Sequence, residues 1–212
     1  MIESAGIDHI IKSGQALYST YESPVGKLLI VGTDSRLMSI VFSTKHTNRH
    51  PLEKKLIKGI NHSITACRSY LDYFFSRTSA EKKNALFKQS VRYEKKSSFL
   101  HISSGGGSLT VDCTLFTPNE CIVYDQLIKV PFGSTVSYGD LARRSGFPGG
   151  ARFIGNTMAK NMVPIIIPCH RVIRNDGSIG NYSGGIHIKE YLLNFENYSL
   201  QERELCYYRI LT

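Results

Sequence analysis

An α/β domain followed by an α-helical domain that carries a helix-turn-helix is the fold class this sequence predicts. Three observations predict it. Residues 16 to 42 read as β structure, an amphipathic helix follows with Ile64, Cys67, Tyr70, Leu71 and Phe74 at helical spacing, and from Thr117 onward the signals are those of short, capped helices. The division falls at 1–112 for the first domain and 113–212 for the second, and either part is long enough to build a core.

Within the first domain, Lys27-Leu28-Leu29-Ile30-Val31 and Leu37-Met38-Ser39-Ile40-Val41-Phe42 flank the turn-prone Thr33-Asp34-Ser35, which predicts a hairpin. Residues 77 to 112 are polar, lysine-rich and broken by Ser103-Ser104-Gly105-Gly106-Gly107-Ser108. That composition predicts an inserted loop or linker, mobile and making no contact with a polyanion.

In the second domain, Thr117-Pro118-Asn119-Glu120 has the form of a capping box with proline at the first helical position. The helix it starts should bury Val123, Tyr124, Leu127 and Ile128 and end at Pro131. Ser137, with Asp140 three residues later, starts a second helix that stops at Gly146. Pro148-Gly149-Gly150 makes a corner before a third helix, from about Ala151 to Lys160. On that third helix Ala151, Ile154, Thr157 and Met158 fall on one side, while Arg152, Asn156 and Lys160 follow at i, i+4 and i+8 on the other. Such a pattern describes a helix-turn-helix whose second helix meets DNA, and it equally describes a surface helix with a solvated charged face.

Charge and cysteine content narrow the setting. The formal net charge is +9, which favours a polyanionic partner. Between residues 130 and 175 stand Arg143, Arg144, Arg152, Lys160, Arg171 and Arg174 against the single acid Asp140, six minus one, a local excess of five. Phosphates would use that excess through counterion release, so binding should be salt-sensitive. The five cysteines, at 67, 113, 121, 169 and 206, are widely spaced with no CxxC pair. That excludes a disulfide scaffold and a zinc finger and predicts a reduced, intracellular chain. No basic and apolar leader and no membrane-length apolar run occurs, and the tail from Gln201 to Thr212 with Cys206 reads as a packed terminal segment.

The segment from Val163 to Val172 is the one that bears chemistry. It predicts a buried apolar strand, Val163-Pro164-Ile165-Ile166-Ile167, leading into Pro168-Cys169-His170-Arg171. A thiol beside two potentially cationic groups ionises more easily, and the thiolate is the nucleophile. A buried structural cysteine beside a satisfied histidine fits the pair alone as well. Downstream, Gly177 to Gly185 is rich in glycine and small polar residues, and a helix follows with Ile188, Tyr191, Leu192 and Phe195 on its apolar face, ending near Glu196.

Pro168-Cys169-His170-Arg171-Val172, Gly180-Asn181-Tyr182-Ser183-Gly184-Gly185 and Lys189-Glu190-Tyr191-Leu192-Leu193 together resemble the O6-alkylguanine-DNA alkyltransferase family. The resemblance runs back through Pro131-Phe132-Gly133-Ser134-Thr135-Val136-Ser137-Tyr138 and is dense over residues 116 to 197. It is looser in Glu22-Ser23-Pro24-Val25-Gly26-Lys27-Leu28. It implies a ribonuclease-H-like α/β domain followed by a winged helix-turn-helix domain carrying the active site.

The resemblance also implies roles. Cys169 would accept an alkyl group from O6-alkylguanine, once and irreversibly, after the base is flipped from the duplex. His170, through a water, and Glu196 would draw the thiol proton, and Tyr138 would turn the phosphate and protonate the departing guanine. Arg152 would enter the stack, with Gly139, Asn156, Lys160 and Asn175 contacting DNA. Met158, Val172, Ile179, Gly180, Asn181, Tyr182 and Ser183 would line the base pocket, and Asn161 would be the hinge. The family implication is double-stranded DNA as partner, a monomer, no cofactor, and the nucleus or the prokaryotic cytoplasm as location. Some relatives hold zinc in the first domain, but Cys67 and scattered histidines predict none here.

Two departures stand out. Asn119-Glu120 replaces a phenylalanine-glutamine pair, so that Glu120 would weaken a phosphate contact if it faced DNA. Tyr124 stands where tryptophan is common. Two other classes stay open at this point: a DNA-binding regulator without chemistry, and a thiol hydrolase that turns over repeatedly.

Overall fold

The computed structural model describes residues 15–43, 51–76, 90–94 and 98–196. Its first part is a seven-stranded sheet in the spatial order Ile57–Lys58, Leu17–Ser23, Gly26–Gly32, Leu37–Phe42, Gly107–Asp112, Phe99–Ser104, Ser90–Glu94. Strands β1 (Leu17–Ser23), β2 (Gly26–Gly32) and β3 (Leu37–Phe42) form an antiparallel meander. The hairpin between β2 and β3 is where the turn signals place it. A short helix, α1 (Pro51–Lys55), leads to β4 (Ile57–Lys58), which pairs in parallel with β1 at the sheet edge.

Helix α2 (His62–Phe75) begins at Asn61, whose side chain accepts from the Ile64 amide, and it buries Ile64, Cys67, Tyr70, Leu71 and Phe74. These are the five residues that the helical spacing selects.

The sheet continues through β5 (Ser90–Glu94), β6 (Phe99–Ser104) and β7 (Gly107–Asp112), a second antiparallel meander joined to the first where Leu37 of β3 pairs with Val111 of β7. This corrects the expectation of a mobile insertion over 77–112. Residues 90–94 and 98–112 are sheet, while 77–89 and 95–97 lie outside the described residues. The signal was present as two-residue alternation, with Leu100, Ile102, Leu109 and Val111 facing the core. The Ser-Gly tract is the β6–β7 turn, not a linker. A Cβ on Gly105 would fall 2.4 Å from Tyr73 Cζ, so glycine is there to let the turn lie against α2.

The second part is helical: α3 (Pro118–Ile128), α4 (Tyr138–Arg144), α5 (Ala151–Ala159) and α6 (Ile186–Glu196). Two short strands, β8 (Val136–Ser137) and β9 (Val172–Ile173), pair in parallel between them. Both reciprocal bonds of the Thr117–Glu120 capping box form, and Ser137 caps α4 through the Asp140 amide. Among the described residues no helix is long and apolar enough to cross a membrane. Cys206 and the tail around it lie outside the described residues.

The two parts share one core. The Ile40 amide of β3 donates to Met162 O at 2.8 Å, and Ser39 Oγ donates to the same oxygen at 3.2 Å. The sheet thereby holds the segment that leaves α5, which matters for the site.

Candidate active site and nucleic-acid face

Helix α5 turns one apolar face inward, burying Ile154, Thr157 and Met158, and presents Arg152, Asn156 and Lys160 outward. Ala151, expected on the inner side, is exposed. Tyr124 Oη donates to Thr157 O at 2.7 Å and its ring meets Phe116 edge-on at 4.9 Å, so the tyrosine fills its buried position and ties α3 to α5. Glu120 is 3% exposed and its Oε1 accepts from Lys160 Nζ at 2.7 Å. It therefore faces the C-terminal end of α5 rather than solvent.

Three of the six cations counted in the sequence have acidic partners: Arg143 with Asp140, Lys160 with Glu120 and Arg171 with Glu196. Adding Glu120 and Glu196 to Asp140 leaves six minus three, an excess of three over the same cations.

The segment between α5 and Cys169 is not the expected strand. It is a tight buried loop with a single bridge from Pro164 to Ile167, in which Ile165 adopts φ of 75°. A β-branched residue rarely takes that conformation, so the surrounding packing holds it. Asn161 secures the loop three ways. Its Nδ2 donates to Ile167 O at 2.9 Å and to Cys169 Sγ at 3.0 Å, and its Oδ1 accepts from the Val163 amide at 3.0 Å. The residue expected to be a hinge is thus a direct partner of the thiol.

Cys169 opens a 3-10 turn, Cys169–Arg171, and is 4% exposed. Burial pushes its thiol above the ordinary value, against the opposing Asn161 bond and the charge of Lys189. The expected lowering by His170 and Arg171 does not occur, because both groups are turned to another partner. Arg171 Nε and Nη2 donate to Glu196 Oε2 and Oε1 at 2.8 and 2.9 Å, and Nη1 donates to Val130 O at 2.7 Å. His170 Nε2 meets Glu196 Oε1 at 2.8 Å. The Gly133 amide completes the set, donating to Glu196 Oε2 at 3.1 Å with φ of 75°.

This arrangement sets the direction in which each group is shifted. Although burial opposes it, the charge of Arg171 and the hydrogen bonds from Arg171 and His170 hold the Glu196 carboxyl at about 2. Burial holds His170 below its ordinary value, so it rests neutral. A neutral imidazole facing a carboxylate through Nε2 must carry its proton there, which leaves Nδ1 as a basic lone pair. That atom is buried and has no hydrogen-bond partner.

Above the turn lies a pocket of about 1000 Å³. Tyr138, Gly139, Arg152, Met158, Cys169, Asn175 and the run Gly180 to Ser183 line it, so most of the residues assigned to DNA or the base pocket converge on one space. Val172 and Ile179 are buried behind it, and Asn156 and Lys160 lie on α5 outside its lining. His170 and Glu196 form the layer beneath. The Tyr138 hydroxyl is pushed up by burial and by the nearby thiol. The Tyr182 hydroxyl is buried and is pushed up by burial and by the Cys169 thiol beside it.

Lys189 stood in a quoted motif without a role of its own. It is fully buried on α6, and its Nζ donates to Val172 O and Ile179 O, both at 2.6 Å, clamping the two sides of the 172–179 loop. Burial lowers it to about 8. A signal existed: Lys189, Leu192, Leu193 and Glu196 share the inward stripe of the helix, whereas Tyr191, expected inside, is 40% exposed. Arg174, counted in the sequence only for its charge, also lines the pocket.

A buried thiol backed by a carboxylate-oriented imidazole, at the floor of a pocket beside the second helix of a helix-turn-helix, defines a DNA-directed thiol acceptor class. Residues 16–92 match the family model described as "6-O-methylguanine DNA methyltransferase, ribonuclease-like domain", and residues 119–198 match "6-O-methylguanine DNA methyltransferase, DNA binding domain". The methylated-DNA–protein-cysteine methyltransferase of Mus musculus is 33% identical over 188 residues, covering 84% of this chain and 80% of its own length. The crystal structure of Mycobacterium tuberculosis O6-methylguanine methyltransferase superposes with a TM-score of 0.62 at 26% identity, covering 85% of this chain and 92% of that one. That of Mycobacterium tuberculosis OGT in complex with DNA gives 0.60 at 28% identity, covering 84% and 92%. The chain belongs to the 6-O-methylguanine DNA methyltransferase family.

Proposed function

We propose that this protein repairs DNA by direct reversal, accepting the alkyl group of O6-alkylguanine irreversibly on Cys169. The observation that carries the reading is the position of Cys169, on the floor of the pocket with His170 and Glu196 behind it.

Guanine O6 lies inside a duplex, where a buried thiol cannot reach the alkyl carbon, so the nucleotide must leave the stack. That costs a few kcal/mol, less for a poorly paired damaged base. Arg152, exposed on α5 and lining the pocket, fills the space left behind, a role its exposure supports. Gly139 and Asn175 lie against each other at the same mouth and serve the backbone, with Asn156 farther along α5. Lys160 keeps its Glu120 partner until a phosphate competes.

Because the thiol rests protonated, its proton leaves as the sulfur attacks. The basic Nδ1 of His170 receives it through a water, and Glu196 stabilises the imidazolium that forms. The sulfur–carbon bond forms as the carbon–O6 bond breaks, and the electron pair passes into the guanine ring. Tyr138 supplies a proton to that ring and regains one from the imidazolium through solvent, so the products are neutral guanine and a thioether. The amides near Tyr182 and Ser183 stabilise charge on O6 in transit. A thioether is not reversed by anything in this site, so each molecule acts once. We read the working form as a monomer on double-stranded DNA, in the nucleus of a eukaryote or the cytoplasm of a prokaryote. We place the domain boundary at 112/113, where β7 ends.

Intact-mass and peptide analysis after incubation with a duplex carrying one O6-methylguanine tests this. The expected result is one methyl per protein, on Cys169, and none on Cys169→Ser. An unmodified protein that binds the lesion would overturn the acceptor role and leave a DNA-binding relative.

A further inference from the structure

The pocket loop is not held by its own domain alone. Phe42, the last residue of β3, crosses from the sheet to the loop that carries Tyr182 and Gly184. Its ring lies 5.9 Å from the Tyr182 ring, tilted at 59°. A Cβ on Gly184 would fall 2.7 Å from Phe42 Cδ2 and 2.9 Å from Cε2, so the phenyl ring occupies the space that any other residue at 184 would need. Gly184 is buried and lies outside the left-handed region. Glycine is therefore required there by close approach and not by backbone conformation. Upstream on the same strand, Ser39 and Ile40 hold Met162, next to Asn161. The end of β3 thus bears on both ends of the site, the loop that holds the thiol and the wall opposite it.

Phe42 does not line the pocket, but Tyr182 does, with its hydroxyl buried beside Cys169. A ring wedged behind a pocket wall limits how far that wall yields to a larger occupant, because close-packed side chains transmit displacement. We propose that Phe42 is a specificity-determining positioning residue, which sets the size of alkyl group admitted to Cys169 by backing Tyr182 and Gly184. The proposal rests on the acceptor reading of Cys169, and it gives the sheet domain a part in choosing the adduct.

The test compares wild type, Phe42→Ala, Gly184→Ala and the double variant, each reacted in single turnover with duplexes carrying O6-methylguanine or O6-benzylguanine. Phe42→Ala should raise the ratio of benzyl to methyl transfer by about tenfold, the scale on which pocket volume discriminates between substrates. Gly184→Ala should lower that ratio, because the new methyl group pushes the wall inward. In the double variant the methyl group takes up part of the vacated space, returning the ratio to within about threefold of wild type. Phe42→Leu keeps most of the apolar volume and should move the ratio in the same direction by less, which provides the readout if Phe42→Ala does not fold. A ratio that stays within about twofold of wild type in folded Phe42 variants, while both rates fall together, would mean that Phe42 only supports the fold. A wild type that transfers neither group would overturn the acceptor reading itself, whereas methyl transfer with an unmoved ratio would overturn this inference alone.

Discussion

Two charged regions of this protein sit within one domain and follow opposite rules. Beneath Cys169, Glu196, Arg171 and His170 are buried and bonded to one another, and Lys189 is buried on two carbonyls. On α5, Arg152, Asn156 and Lys160 are exposed. A buried charge survives only with a full set of partners, since desolvation is large and one missing partner leaves it uncompensated. An exposed cation keeps its hydration, gains little from any one neighbour and exchanges that neighbour for a phosphate cheaply. In the function proposed, the difference separates two tasks: proton transfer where positions are fixed, DNA contact where partners are replaceable.

The buried side gives the largest expected effect. Glu196→Gln leaves Arg171 without its anion and should cost about 3–5 kcal/mol of stability in urea unfolding. A loss below about 1 kcal/mol would break the comparison by placing this layer on the same footing as a surface pair. The pH dependence carries a sign. The folded Glu196 pKa of about 2 lies below that of an unfolded carboxylate. Its stabilisation is therefore complete above the unfolded value of about 4.3 and is lost as pH falls toward the folded one. His170 is also depressed in the fold, so it too loses stability as pH drops below its ordinary value. The stability difference between wild type and Glu196→Gln should accordingly shrink on acidification, followed by fluorescence or circular dichroism.

The exposed side should behave in reverse. Arg152→Ala should leave urea unfolding within about 0.5 kcal/mol of wild type, as surface changes do. It should slow transfer from duplex DNA by about tenfold to a hundredfold, because only a stacked base needs the vacated space filled. Reaction with free O6-benzylguanine, which has no stack, should be unchanged. Equal slowing on both substrates would place Arg152 in the chemistry and blur the contrast.

The smallest effect sits where the two regions meet. Glu120→Gln removes the charge that holds Lys160 and should steepen the salt dependence of DNA binding by about one counterion. Part of the α3 capping box should survive, since glutamine can also fill that position. An unchanged slope would mean that Lys160 already exchanges Glu120 for phosphate.

Much of this was legible along the chain because the signals are local. Thr117 and Glu120 cap each other across three residues, Ser137 reaches the Asp140 amide, and α2 buries the residues its spacing selects. The candidate site was legible too, since Cys169-His170-Arg171 is contiguous and Tyr182 follows within a recognisable motif. The reading failed where composition was weighed above periodicity: β6 and β7 alternate as strands do, but the Ser-Gly turn between them reads as a linker until Tyr73 is seen against Gly105.

By itself the sequence determined the helix starts, the hairpin of the first meander, the candidate thiol and the family's motifs, all of which depend on neighbours a few residues apart. The tertiary structure alone decided that Arg171 serves Glu196 instead of the thiol, that burial outweighs nearby charge at Cys169, and that Lys189 clamps the pocket loop. It also decided that Phe42 stands behind Gly184. The physical reason is common to these. Desolvation and close packing are set by everything that surrounds a group, and those surroundings come from distant parts of the chain that only folding brings together.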